Sequence, residues 1–165
     1  MVIVDTSVWS LALRRKQPAQ DATTAELARL IDLGEALIAG PIRQELLSGI
    51  TTQAQFKLLR ERLAAFPDIL IDTADYERAA QCFNQCRVGG IQGSNTDYLI
   101  CALALRLDLP VYSADRDFER YAHVLGCVCT SLRYRQTWIQ LNVLVNFVGR
   151  GRCIADNRIY FPLHS

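Results

Sequence analysis

Short apolar runs stand at residues 1–4, 36–39, 69–71 and 111–113. Each is too short for a helix and almost free of polar residues, the pattern of a strand covered on both faces. Between the runs, apolar residues recur at spacings of three and four, which predicts helices. Val8, Trp9, Leu11, Ala12 and Leu13 mark the first, and Leu27, Leu30, Ile31 and Leu33 the second. Ile42, Leu46 and Leu47 mark a third, and Phe56, Leu59, Leu63 and Phe66 a fourth over residues 52–65. Three more are predicted at 74–86, from 95 onward, and at 116–124. Residues 127–130 offer a fifth strand.

Capping and breaking residues agree with this division. Thr6 or Ser7 suits the start of the first helix, Thr23 or Thr24 the second, and Asn95 or Thr96 the one that follows residue 94. Asp72, Asp75 and Glu77 read as cap residues of the helix over 74–86. Gly34, Ser48-Gly49, Pro67, Gly89-Gly90 and Leu109-Pro110 are natural stops, and Pro41 fits a first helical turn. Alternating strands and helices predict an α/β sandwich of three layers around a central, mainly parallel sheet of four to five strands.

Composition adds boundaries. The chain has 165 residues, enough for one domain with a substantial core, and half of them are hydrophobic. No apolar run approaches the roughly 20 residues that span a bilayer. No basic segment precedes a hydrophobic one at the start, so the expected location is the cytoplasm. The net charge of +1 hides an asymmetry: residues 1–126 carry 13 basic and 16 acidic residues (−3), whereas 127–165 carry five and one (+4). The loss of acids after residue 126 sets the division into a domain over 1–130 and a C-terminal extension over 131–165. Within the extension, residues 138–148 are apolar without a decisive period.

Six cysteines, at 82, 86, 101, 127, 129 and 153, are even in number, but nothing else marks a secreted chain. Cys82 and Cys86 lie one helical turn apart, a loose fit to a zinc pair, and Cys127 and Cys129 would share one strand face. Buried free thiols are the expectation, since a free cysteine packs as a small hydrophobe. His123 and His164 are isolated, and no Ser-His-Asp arrangement for acyl transfer is in view.

The acids carry the chemistry. Asp5 ends the first strand, and Asp115 and Asp117 follow the fourth. Asp97 falls in a helix's first turn, and Glu45 one turn into the helix after the second strand. In parallel sheets, ligands bind at the carboxyl ends of strands, so these acids converge on one edge. Any one of them alone is explained as a turn or cap residue. Together they repel, unless a divalent cation reverses the sign of the interaction. Hard oxygen donors in this number suit Mg²⁺ or Mn²⁺ and a phosphate substrate.

The opening Val2-Ile3-Val4-Asp5-Thr6-Ser7-Val8-Trp9, Glu45, Asn95-Thr96-Asp97 before an alanine-rich helix, and Ser113-Ala114-Asp115-Arg116-Asp117-Phe118 together resemble PIN-domain ribonucleases. They are similar to the VapC toxin type of bacterial type II toxin–antitoxin pairs, over residues 1 to about 126. The resemblance implies a PIN-like fold and a Mg²⁺- or Mn²⁺-dependent endoribonuclease. Metal-activated water would cut RNA, leaving a 5′-phosphate and a 3′-hydroxyl. It implies Asp5, Glu45, Asp97 and Asp115 as the catalytic acids, and Asp5, Asp97, Asp115 and Asp117 as the metal-binding set. Thr6 and Ser113 match hydroxyl positions that hold waters or carboxylates, and Asn95 a supporting position. A cognate antitoxin would cover the groove and place an arginine among the carboxylates. The apolar faces of helices within residues 22–66 also predict a homodimer.

Arg87 and Arg116 are candidates for contact with RNA phosphate or the antitoxin, or are plain surface arginines. Arg14, Arg15 and Lys16 flank the groove or form a solvated turn. Trp9 belongs to the core, to a partner interface, or to a base stack. The alternative functions are a metal-dependent DNA nuclease or phosphatase using the same acids, and a catalytically degenerate binding module.

Overall fold

The computed structural model describes residues 1–14 and 21–130. The extension over 131–165, Arg15, Lys16 and Cys153 lie outside the described residues. The element order is β1 (Val2–Val4), α1 (Thr6–Arg14), α2 (Ala22–Asp32), β2 (Ala36–Ala39), α3 (Gly40–Leu47), α4 (Gln53–Leu63), β3 (Asp68–Ile69), α5 (Thr73–Val88), α6 (Asn95–Leu107), β4 (Val111–Tyr112), α7 (Asp117–Leu125) and β5 (Cys129–Thr130).

All five strands are parallel, in the order β3-β2-β1-β4-β5. This order fixes the layers. From β1 to β2 to β3 the chain steps in one direction across the sheet; from β3 to β4 to β5 it steps in the other. Right-handed crossovers then place α1–α4 on one face and α5–α7 on the opposite face. The packing follows that division: α1 meets α2 and α3, α3 meets α4, and α5, α6 and α7 meet one another. The direction changes between β1 and β4, so the topological switch point lies at their carboxyl ends.

The core sits on both faces of β1, where Val2, Ile3 and Val4 are all buried. Helix α6 is buried from Tyr98 to Ala104, with Cys101, Ala102 and Ala104 small enough to allow close approach of its neighbours. Each large apolar side chain fully buried there contributes roughly 1.5–3 kcal/mol. Trp9 is a core residue: it is 4% exposed, its indole N–H donates to the Val4 carbonyl (3.2 Å), and its ring meets Phe66 edge-on. Cys82, Cys86, Cys101 and Cys129 are buried free thiols and Cys127 a half-buried one, as their packing role predicts.

Several caps differ from expectation. Asp21, not Thr23 or Thr24, caps α2, accepting from the Thr23 amide. Ser94, not Asn95 or Thr96, caps α6. Asp5 itself accepts from the Ser7 amide at the start of α1. In each case a polar residue just ahead of the chosen one already sits in extended backbone or at a strand end, where its side chain can turn back onto free N–H groups. Strand β3 is Asp68–Ile69 rather than residues 69–71, and Leu70 is 88% exposed at the sheet edge. Asp72 and Asp75 form a capping box, and Asp75 also pairs with Arg106 from α6. No helix among the described residues is long and apolar enough to cross a membrane.

Candidate active site

Asp5 leaves the end of β1 at the switch point and is 5% exposed. Its Oδ2 accepts from the Ser7 hydroxyl (2.6 Å), the Ser7 amide (3.1 Å) and the Ser113 hydroxyl (2.9 Å). Ser113 directly follows β4, as Asp5 follows β1, so one hydrogen bond ties the chain at the two strand ends that border the switch point. The Ser113 oxygen also accepts from the Asp115 amide (2.9 Å), and Asp115 Oδ1 accepts from the Asp117 amide (2.9 Å). These tight turns carry Asp115 back toward the sheet edge before α7 begins.

Glu45 reaches the same edge from α3. It is exposed, and Thr6 Oγ1 donates to its Oε2 at 2.6 Å. Asp97 arrives from α6 as the third residue of a capping box: its amide donates to Ser94 Oγ (3.1 Å) and its Oδ2 accepts from the Ser94 amide (2.8 Å). Burial raises the Asp97 pKa above the ordinary carboxylate value, the Ser94 hydrogen bonds lower it, and the charges of Asp5 and Asp115 raise it further. Asp97, Asp5 and Asp115 therefore share one electrostatic environment.

Asp117 stands apart. Its carboxylate pairs with Arg120 one turn along α7 (3.1 Å). No lysine or arginine of the described residues lies within ion-pair distance of Asp5, Glu45, Asp97 or Asp115. Arg87 and Arg116 are exposed and make no ion pair among the described residues; Arg87 lies in the last turn of α5, and Arg116 precedes α7 between two of the acids. Asn95 is exposed in the first turn of α6.

Two residues were not legible as site members in the sequence. Ser7 supports Asp5 through both its amide and its hydroxyl, and accepts from the Ala114 amide (3.1 Å), linking α1 to the loop after β4. Its position two residues after an acid at a strand end is the available signal, since an Asx turn points there. Tyr121, from α7, donates toward Asp97 Oδ2 (3.4 Å) and the Gln92 carbonyl (3.3 Å). It is 1% exposed, and burial together with the charge of Asp97 pushes its hydroxyl pKa up. No local signal marks it, because its role depends on α7 packing against α6.

Among the described residues, no three histidine, cysteine, aspartate or glutamate side chains stand close enough to clasp one ion directly. The donor set still fits a hydrated divalent cation. It consists of hard carboxylate oxygens, has no basic counter-charge among the described residues, and holds Asp97 at a raised pKa that a nearby cation would reverse. An ion that keeps several of its waters is held through few direct carboxylate bonds.

The PIN domain family matches residues 2–124. The chain is 30% identical over 137 residues to VapC ribonuclease Mb1587 of Mycobacterium bovis and to ribonuclease VapC11 of Mycobacterium tuberculosis, covering 81% of this chain and 100% of each relative. The fold is similar to that of FitAcB from Neisseria gonorrhoeae, with a TM-score of 0.65 and 23% identity over 79% of this chain and 97% of that one. It is also similar to VapBC2 from Rickettsia felis, solved bound to a promoter DNA fragment, with a TM-score of 0.61 and 15% identity over 79% of this chain and 98% of that one. PIN-domain ribonucleases generally use divalent metals. The order of acids along the sheet edge, the five-stranded parallel topology and these matches agree: the chain belongs to the PIN-domain family and is of the VapC type.

Proposed function

We propose that this protein is a Mg²⁺- or Mn²⁺-dependent endoribonuclease and the toxin of a type II toxin–antitoxin pair. The observation that carries the reading is the convergence of Asp5, Glu45, Asp97 and Asp115 at the β1/β4 switch point, with no basic partner among the described residues. When bound there, the cation lowers the pKa of a water and offsets charge on the phosphorane. Asp5, Asp97 and Asp115 are the residues that would hold it, with Asp117 as a fourth candidate. Ser7 and Ser113 aim Asp5, and Ser113 also fixes the loop that presents Asp115. Glu45, exposed and steadied by Thr6, accepts the proton of the attacking water. Asn95, Arg87 and Arg116 contact the RNA or the antitoxin. Hydrolysis leaves a 5′-phosphate and a 3′-hydroxyl.

The nuclease domain spans 1–130 and the extension 131–165. The protein acts in the cytoplasm as a homodimer, and a cognate antitoxin silences it by placing an arginine among the acids. A monomer in sedimentation at micromolar concentration would refute the dimer.

The decisive experiment is cleavage of total cellular RNA, with end mapping, by wild type and Asp97→Asn. DNA and small phosphate esters are assayed with the same preparation. Metal-dependent, chelator-sensitive RNA cuts with 5′-phosphate ends, lost in the variant, are expected. Undiminished cleavage by Asp97→Asn, or cleavage confined to DNA or phosphate esters, would overturn the reading.

A further inference from the structure

Beside the acids lies a cavity of about 470 Å³ that the metal-dependent chemistry does not use. One face of α5 supplies Tyr76, Ala79, Ala80, Phe83 and Asn84, at the three- and four-residue spacing of a single helical stripe. Opposite stand Asn95, Thr96, Tyr98 and Leu99 from the first turn of α6, with Pro41 from the start of α3. These are the helices that carry Asp97 and Glu45, so the cavity and the acids share two supports.

The chemistry of the lining is specific. It contains no lysine, arginine, aspartate or glutamate, so it does not select phosphate. Ala79 and Ala80 stand between Tyr76 and Phe83 along this stripe, where their side chains are small. Phe83 is fixed edge-on against Tyr98 (5.3 Å between centroids), whereas Tyr76 is 58% exposed and has no ring or hydrogen-bond partner among the described residues. The side chains of Asn84 and Asn95 are exposed and likewise make no hydrogen bond among the described residues. An aromatic face with free amide donors and acceptors is what an unpaired base requires: a surface to stack on and groups to meet its edge.

We infer that this cavity receives one unpaired base of the RNA substrate, stacked on Tyr76 and met at its edge by Asn84 and Asn95. The inference rests on the RNA-cleaving function proposed above and adds where sequence preference originates. A base held here sets which phosphodiester reaches Asp97 and Glu45, because cavity and acids are joined through α3 and α6.

The test uses the full chain carrying Asp5→Asn, which does not cut, and a short single-stranded RNA spanning a wild-type cut site. An abasic nucleotide is moved along that RNA and binding is read by fluorescence anisotropy. Loss of the base at one position should weaken binding on the order of tenfold, and Tyr76→Ala should remove that difference. In the otherwise wild-type enzyme, Tyr76→Ala should raise KM about tenfold with kcat nearly unchanged. Asn84→Asp should alter the base preference in end-mapped libraries. A flat abasic scan with intact cleavage by wild type would overturn the inference and leave the proposed function standing. Absence of both binding and cleavage would remove both. Conversion of a dimer to a monomer by Tyr76→Ala, with base preference unchanged, would show that a second copy of the chain occupies this face and would also overturn it.

Discussion

Gly93 lies against the hydroxyl of Tyr121, and that contact offers a sharp test of how the site is built. A Cβ at residue 93 would collide with the Tyr121 hydroxyl oxygen, and would stand 2.7 Å from Cζ and 3.2 Å from Cε1. A flexible side-chain end would move aside at little cost. Tyr121 is 1% exposed, and its ring is held by Tyr98 at 5.2 Å and Phe118 at 5.4 Å between centroids. The ring or the loop before α6 must therefore shift in Gly93→Ala. Overpacking of this kind costs about 1–3 kcal/mol. Weakening two long hydrogen bonds, to Asp97 and to Gln92, adds on the order of 0.5 kcal/mol each. The expected destabilisation is about 2–4 kcal/mol, read by urea denaturation of the metal-free protein with far-ultraviolet circular dichroism. Tyr121→Phe removes the oxygen but leaves Cζ too near, so it should relieve only part of the collision. The double variant should be about 1 kcal/mol more stable than the sum of the single effects predicts. A neutral Gly93→Ala, or strict additivity, would refute this account of the α6–α7 junction.

Asp97→Asn should also change the pH dependence of stability. Burial and the neighbouring acids raise the Asp97 pKa in the folded state, so its contribution is full below the unfolded carboxylate value and lost as pH rises through the folded one. The variant should therefore melt higher than wild type at neutral pH in chelator, with the gap closing at acid pH; no gap at neutral pH would refute this. Added Mg²⁺ should raise the melting temperature of wild type and raise that of Asp5→Asn much less. Ser7→Ala removes a 2.6 Å donor from Asp5 and the acceptor of the Ala114 amide, and should cost about 2 kcal/mol in the same denaturation assay. Thr6→Val frees only the exposed Glu45, so stability should hold within about 0.5 kcal/mol while RNA cleavage falls about tenfold.

The strands, most helices and the acid set could be read from the sequence because each has a local cause. Buried parallel strands are short apolar runs, and Val2-Ile3-Val4 is one. The acids stand where strands end, and a strand end is visible as the place where the run stops. The errors came where several residues compete for one local task. Ser94, Asn95 and Thr96 are all good caps, and backbone geometry selects Ser94. The support of the acids is partly non-local: Ser113, expected as a supporting hydroxyl through the family resemblance, meets Asp5 across 108 positions, whereas Tyr121, which meets Asp97 only because α7 packs on α6, carries no local signal. Asp117 reads in the sequence as a metal ligand outside the catalytic acids, and its helical position hands it to Arg120 at the three-residue spacing.

The choice of supporting groups explains how a negatively charged edge is kept both ordered and available. A buried carboxylate must be hydrogen-bonded, and an arginine would satisfy that need with strong attraction. It would also cancel the charge. Elsewhere the fold uses that solution freely: Arg106 meets the buried Asp75, and Arg43 meets Asp68. At the switch point it uses neutral donors instead, the hydroxyls of Ser7, Ser113, Thr6 and Tyr121 and the amides of residues 7 and 94. These donors fix the direction of each carboxylate while leaving its charge in place. Burial raises the pKa of Asp97, and the charges of Asp5 and Asp115 add to that rise. A divalent cation entering this edge would meet oriented oxygens and relieve their repulsion, so stability withheld from the metal-free fold would return as affinity for the ion.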